Sequence, residues 1–526
     1  MTAFPHPEAH DTVSADAGRV EHRDAESMGR SHVRGSALLL VGRVLSMVFT
    51  ILTQVLVVRS LSRSEYGAFA YALVIVSAGR TLLSLGQGKL LSRFMSTYEE
   101  QRDYARMFGS MALAVLTIVA TSIALLLGLY LFAEDLGAAA IDNPQAVQVL
   151  LILMFLAPME ALDQVFVSLF AVFTRARAIF FRKYLLTPGL RLLVVLFLVV
   201  LDADVVFLAI GYVVTQLLGL FIYAPLLVRA LRERGLMQHF RVRRMVLPFK
   251  SVFSFSIPTM TSELVYLSMN TGSVILLGMH GGTVAVAGYR AVLPAARLNQ
   301  FVWQTFVTLF LPMSARLYER GDHSGLRRTY WSTALFLAVL TFPVFAMTTI
   351  FADVTTVTLF GERYADAAAV MLLLSVGYYF NVAVGFNAYT LQVYGRLRYL
   401  VVVNVAAAAF NLALCAVLVP GFGATGVAGA NCITMVLQNV ANQVALARSM
   451  GGGFIGRSYL SSYGLLALAL AVLGVVRAGI DPGFVVAGIA TGAVWVLTLL
   501  LLRRRLQLAQ TFPELVKVPV LGRLLR

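Results

Sequence analysis

Four arginines stand inside long apolar stretches of this 526-residue chain: Arg43, Arg80, Arg290 and Arg297. An arginine at the centre of a bilayer costs about 2.5–3.5 kcal/mol on insertion scales. Four of them facing lipid would cost on the order of 10 kcal/mol, so they are expected to face water, a cavity or partners. Guanidinium groups grip phosphate oxygens bidentately. The chemistry they suit is capture of an anionic head group rather than bond breaking. Arg43 is followed by Ser46, Thr50 and Thr53, which continue one helical face, and Arg80 shares a face with Ser77, Thr81, Ser84 and Gln87. Arg290 and Arg297 are seven residues apart, about 10.5 Å along one stripe, with Gln304 seven further on.

Three acids lie at similar depth. Glu160 and Asp163 fall in the fourth apolar segment and Glu263 in the seventh, where it shares a face with Tyr266 and Asn270. Each is a candidate for charge pairing (Arg80 with Glu160 or Asp163, Arg297 with Glu263) or for ion coupling. Two stacked arginines against one neighbouring acid leave positive charge over, which predicts a water-filled, net-positive central chamber. Pro158, Pro258 and Pro294 sit beside these charges and free backbone carbonyls where they interrupt a helix. They read either as flexing points or as static packing. Amides crowd the tenth to twelfth segments, among them Asn381, Asn404, Asn439 and Asn442. They read either as helix-to-helix bonds or as contacts for sugar hydroxyls.

The elements that must position these residues follow from composition. The chain is 59% hydrophobic and 13% charged, with mean hydropathy +0.81. An average soluble protein is about 25% charged. These values exclude a soluble globular enzyme, a disordered chain and a fibrous protein, and predict an all-α polytopic membrane protein. Fourteen apolar segments recur between residues 35 and 502. The net charge is +16, and 38 of the 42 basic residues are arginine. With both termini in the cytoplasm, most of those charges fall in cytoplasmic tails and loops, while Arg59, Arg63, Arg363 and Arg477 fall outside. Topology thus accounts for the basicity, and nucleic acid is not needed as a partner.

The domain reading is a disordered cytoplasmic tail (1–34), an N-lobe of helices 1–6 (35–228), a basic linker (229–250), a C-lobe of helices 7–12 (251–447), helices 13–14 (448–502) and a basic cytoplasmic tail (503–526). The linker is expected to be an amphipathic helix on anionic lipid heads or a solvated loop. The lobes read as a parallel repeat enclosing a path along the membrane normal. No cofactor, metal or catalytic residue is expected. There is no phosphate-binding glycine loop, no HExxH, and no Cys/His cluster. Cys415 and Cys432 read as small core residues. Asp202-Ala-Asp204 reads as an ordinary helix-end turn, and Gly451-Gly452-Gly453 as a hinge. The longest outer loops, near 133–146 and 351–366, leave no room for an external catalytic domain, which argues against a glycan-polymerising enzyme.

Four strings carry a resemblance. Residues 59–94 contain a Leu61…Tyr66-Gly67 turn and then Arg93-Phe94. LFLPMSARLYERGD (309–322), LFGERYADAAAVM (359–371) and VPGFGATGVAGA (419–430) follow in order. Together they resemble the polysaccharide-biosynthesis or oligosaccharide (O-antigen-type) flippase family of the multidrug/oligosaccharidyl-lipid/polysaccharide exporter superfamily. Ser62 stands where that family's turn usually has Gly. The resemblance implies two pseudo-symmetric six-helix lobes around a central cavity, plus two C-terminal helices, and alternating access. It implies a polyprenyl-diphosphate-linked glycan moved from the cytoplasmic to the outer leaflet of the cell membrane, with its lipid tail leaving between helices 1 and 8. Membrane lipids, a glycan polymerase and other glycan-assembly proteins are the implied partners. Arg43, Arg80, Arg290 and Arg297 lie on suitable helices to hold the diphosphate, although no motif fixes them one by one. The alternative in the same superfamily is a cation-coupled multidrug or small-molecule exporter. That branch usually carries coupling carboxylates; here helix 1 offers Arg43 and no acid, while Glu263 keeps the alternative open.

Overall fold

The computed structural model describes residues 41–85, 87–131, 144–173, 180–249, 252, 267–451 and 457–506. Glu263, Tyr266, Pro258, the 1–34 tail and most of the 503–526 tail lie outside the described residues, as do Gly452 and Gly453. The described chain is helical, with no strand.

The chain runs through α1 (Val41–Ser60), α2 (Arg63–Ser84), α3 (Gln87–Glu100), α4 (Tyr104–Leu131), α5 (Pro144–Met154) and α6 (Leu156–Phe173). A π-helical turn (Phe180–Leu186) leads into α7 (Thr187–Val200), followed by α8 (Val205–Glu233). A second π turn (Ser268–Gly272) opens α9 (Ser273–Ala296), and α10 (Leu298–Glu319), α11 (His323–Thr349), α12 (Ala352–Phe360), α13 (Ala368–Ala383) and α14 (Asn387–Val393) follow. The last three are α15 (Leu397–Met450), α16 (Arg457–Ile480) and α17 (Phe484–Leu506).

Local signals set these boundaries. Ser62 and Glu65 form a capping box at the start of α2, and Leu85 in the left-handed region ends it. Asp204 accepts from the Phe207 amide at 3.0 Å, so the Asp202–Asp204 turn is a helix cap. Pro158 has no N–H for the carbonyl four residues back, and the chain breaks into a turn at Phe155 between α5 and α6.

Ten helices among the described residues are long and apolar enough to cross a membrane, and Tyr184–Val200 is a shorter apolar one. This is fewer than the fourteen read from apolar segments, and one reason is visible in α15. That helix runs 54 residues, but Gly423 takes φ 52°, ψ −128° in its middle. Asn411 donates to Asn431 Oδ1 at 3.1 Å and Gln438 to Asn404 Oδ1 at 2.8 Å, so the arms on either side of Gly423 fold back on each other. The glycine-rich 419–430 string is therefore a hairpin corner. Gly282 (φ 64°, ψ −168°) breaks α9 in the same way.

The basic segment after α8, read from sequence as either an amphipathic helix or a solvated loop, is not one continuous helix. It forms two 3-10 turns, Leu236–His239 and Val242–Arg244, that lie on the start of α4. Tyr104 stacks on His239 with centroids 4.0 Å apart, Phe108 meets Phe240 edge-on, and the Val246 amide donates to Ala105 O at 3.2 Å. Gly109 permits this approach, because a Cβ there would stand 1.9 Å from Val246 O.

Candidate substrate cavity

A cavity of about 450 Å³ lies among α1, α2, α7, α8 and α9. Three arginines line it: Arg191 from α7, Arg290 from α9 and Arg297 at the α9–α10 turn. Ser46, Thr50 and Gln54 from α1 and Tyr66 from α2 supply hydroxyl and amide groups. Among the described lining residues there is no carboxylate.

The three guanidinium groups are held differently. Arg191 Nη2 lies 3.2 Å from Glu160 Oε1, and its guanidinium sits over the Tyr212 ring at 5.0 Å. Arg297 Nε donates to the Tyr378 hydroxyl at 2.6 Å and lies over the same ring. For Arg290, no carboxylate among the described residues lies within salt-bridge distance. Among the described residues Arg290 is thus a cation with no neutralising acid, facing a hollow where low-dielectric walls strengthen its pull on an anion.

Proline chemistry fixes Arg290. Pro294 has no N–H to donate to the carbonyl four residues back, which is that of Arg290. Gln54 Nε2 donates to that carbonyl at 3.3 Å and to the Tyr66 hydroxyl at 2.5 Å. One amide on α1 thus ties α2 to α9 across the cavity, using an acceptor that a proline released. The sequence placed Pro294 between two arginines but did not show where its freed carbonyl would go.

Two of the four arginines singled out by sequence, Arg290 and Arg297, line this cavity; Arg43 and Arg80 do not. Arg80 Nη1 lies 3.8 Å from Glu160 Oε2, so Glu160 stands between Arg80 and the cavity residue Arg191. Asp163 lies one turn further along the same helix. Arg43 Nη1 reaches the Gln304 carbonyl of α10 at 3.5 Å, across the seam between α1 and α10, while Ser46 and Thr50 on its face do line the cavity. Arg191 was missed because the fifth apolar segment is short and its charge was counted with the adjoining basic loop. The available signal was its position inside that segment, four residues after Thr187.

A second cavity, about 430 Å³, adjoins the first, and Arg297 and Tyr378 lie on its wall. Trp303 and Tyr389 contribute aromatic surface, and Asn381, Asn404, Gln438 and Asn442 contribute amides. Arg297 belongs to both hollows.

Opposite the basic 236–249 segment, the helix ends are locked together. Arg59 Nε donates to Leu359 O at 3.0 Å, and Arg363 Nη2 donates to Val58 O and Arg59 O, each at 2.6 Å. Arg63 bridges to Asp366 at 2.8 Å and donates to Arg363 O at 2.9 Å. Gly67 lies so close to Thr283 that a Cβ would stand 1.9 Å from its carbonyl oxygen. Arginines counted by sequence as loop charges therefore act as helix-end caps between α1 and α12.

The described residues form an all-helical bundle with spans of membrane length around a cationic cavity, with arginine caps at one end. Solved structures share this fold. The chain is similar to the lipid II flippase MurJ in its inward closed conformation, with TM-score 0.70 and 14% identity, covering 90% of this chain and 100% of that one. It is also similar to an inward-facing MATE-family multidrug resistance transporter of the MOP superfamily, with TM-score 0.61 and 12% identity, covering 79% and 98% of the two chains. A third likeness, TM-score 0.51 and 13% identity over 80% and 95%, is to a MOP superfamily transporter of Pyrococcus furiosus whose description reports a binding pocket of reverse polarity. These likenesses show a shared fold. Residues 32–318 match the polysaccharide biosynthesis protein family, and the chain belongs to that family. An uncharacterized membrane protein of Methanocaldococcus jannaschii is 26% identical over 224 residues, which span 42% of this chain and 43% of that protein.

Proposed function

We propose that this protein is a flippase that carries a polyprenyl-diphosphate-linked oligosaccharide from the cytoplasmic to the outer leaflet of the cell membrane, for assembly of a surface polysaccharide or glycoconjugate. The observation that carries this reading is the convergence of Arg191, Arg290 and Arg297 on one cavity whose described lining has no carboxylate. A diphosphate offers several oxygens to such a cluster, and each arginine–phosphate contact is a charge-assisted bond. Family membership supplies the glycan half of the reading.

In this reading both termini are cytoplasmic, and the capped end of the bundle is the outer gate, closed in this conformation. The head group enters from the basic side and the arginines hold its diphosphate. The lipid tail rides along the α1–α10 seam, where Arg43 meets α10. Opening the capped end while the basic end closes then releases the head group outward. A glycan polymerase and other assembly proteins act on the delivered lipid. Export of cationic drugs is disfavoured by the same cluster, since three guanidinium groups repel a cation.

The test is leaflet-resolved transport of a fluorescent polyprenyl-diphosphate oligosaccharide in liposomes. Wild-type protein is expected to equilibrate the lipid between leaflets, and Arg290→Ala to abolish this. Transport that Arg290→Ala leaves intact, or transport of organic cations instead of the glycolipid, would overturn the reading.

A further inference from the structure

The second cavity has a polarity different from the first. Among the described residues Arg297 is its sole ionisable contributor apart from tyrosine hydroxyls, and no carboxylate lines it. Arg297 is already engaged with the Tyr378 hydroxyl. The rest of the polar wall is amide. Several of those amides bond one another, as Gln438 does Asn404, and so are spent on packing.

Asn442 is different. Its residue is 4% exposed and lines the cavity, yet its Oδ1 has no hydrogen-bond partner. A buried acceptor left unmatched costs about 1–3 kcal/mol, which natural proteins rarely accept without a partner from water or ligand. Asn381 and Gln392, on the same wall, make no side-chain hydrogen bond among the described residues. Donors and acceptors without net charge, beside the aromatic surface of Tyr389, match hydroxyl and acetamido groups on a pyranose ring with an apolar face. A volume of about 430 Å³ falls within the roughly 300–1,000 Å³ typical of small-molecule sites.

We infer that this second cavity is the subsite for the sugar units next to the diphosphate, and that it selects uncharged sugars. This rests on the proposed flippase reading and deepens it. Arg297, on the common wall, sits at the junction where the diphosphate ends and the first sugar begins. Asn442 offers its side-chain amide to a sugar hydroxyl. Acidic sugars are disfavoured: the one guanidinium this wall offers among the described residues is already shared with the diphosphate, and neutral amides replace only part of a carboxylate's hydration.

The test uses the full-length protein in nanodiscs and native mass spectrometry with three synthetic probes: bare polyprenyl diphosphate, the same lipid carrying an uncharged trisaccharide, and one carrying a glucuronate-containing trisaccharide. Wild type is expected to bind the uncharged glycolipid more tightly than either other probe. Asn442→Leu keeps the side-chain shape and removes the orphan acceptor. It is expected to weaken the uncharged glycolipid about three- to tenfold while leaving bare polyprenyl diphosphate unchanged. Arg290→Gln weakens all three. Should Asn442→Leu fail to fold, Asn381→Ala and Gln392→Ala give the same comparison from the same wall. The inference is overturned if the wall variants leave the glycolipid unaffected, if they weaken bare lipid equally, or if the glucuronate probe binds best. Wild type that binds none of the three probes overturns the flippase reading itself. Binding of bare diphosphate with no gain from sugar overturns only the subsite.

Discussion

Arg59 and Arg363 cap each other's helices. Arg59 donates to the last carbonyls of α12, at Leu359 and Thr358, while Arg363 donates back to Val58 and Arg59 at the end of α1. Cations are stabilised at helix C-termini, where unpaired carbonyls carry partial negative charge. The exchange joins residues 300 positions apart in sequence.

Breaking that exchange favours the opened form. Arg363→Gln removes the donors to α1 and is expected to raise the reactivity of a cysteine placed at Ser64 toward a membrane-impermeant maleimide. Unchanged reactivity would show that the caps do not hold the gate.

The reverse manipulation locks it. Ser64 Oγ and Thr283 Oγ1 are 3.4 Å apart, within cross-linking range for a cysteine pair. Cys415 and Cys432 are buried, so they add little background. Ser64→Cys with Thr283→Cys is expected to stop transport under oxidation and to recover it on reduction. Transport continuing in fully cross-linked protein would mean that this end need not open.

Gly67 is a steric counterpart. Replacing it with Ala puts a methyl group 1.9 Å from a backbone oxygen, which cannot move as a side chain would. Gly67→Ala is expected to push α2 from α9 and populate the opened end, seen as wider spin-label distances between the ends of α2 and α12. Distances identical to wild type would contradict the tight packing.

Glu160 separates stability from binding. It pairs with both Arg80 and Arg191 while 20% exposed. Glu160→Gln leaves two cations unpaired and is expected to cost on the order of 1–2 kcal/mol in unfolding stability, less than a fully buried pair would. It also frees Arg191 for an anionic ligand, so affinity for bare polyprenyl diphosphate should rise as thermal stability falls. A loss of both would assign Glu160 a purely structural role.

Outside the membrane, Asp322 caps α11. Its carboxylate accepts from the Gly325 amide at 2.8 Å and from Ser324 at 2.9 Å, and these bonds, the backbone one first, hold its pKa below the usual carboxylate value. A depressed folded pKa gives stability present above the unfolded value and lost as pH falls through the folded one. Protection of the first-turn amides of α11, taken relative to the intrinsic exchange rate at each pH, should therefore fall on acidification in wild type. In Asp322→Asn, which cannot ionise, that acid dependence should vanish.

Much of this protein was legible from its residues. Apolar segments of bilayer length, sparse charge and basic loops on one side specify a polytopic helical protein, because hydrophobic thickness and insertion cost act on the chain locally. The turn string around Leu61–Gly67, which lies within the residues that match the family, was legible for the same reason, as was the corner at 419–430: a glycine turn such as Gly423 is a property of a few adjacent residues. Intramembrane arginines announced a functional interior, since each carries an energetic demand that some partner must meet.

Which partner met each demand was decided in three dimensions. Arg80 went to Glu160, Arg191 joined the cavity from a short apolar segment whose charge was counted with the adjoining loop, and Arg297 came to stand between two hollows. The basic segment after α8 folded onto α4 through ring stacking and one close glycine, which charge counting could not register. Asn442, Asn381 and Gln392 differ from the paired amides of the same wall only through the absence of a hydrogen-bonding neighbour among the described residues. Such pairings depend on distances between residues far apart in sequence, set by how whole helices pack. A side chain's type fixes what it needs, and its neighbours fix whether that need is met by the protein or left for a ligand.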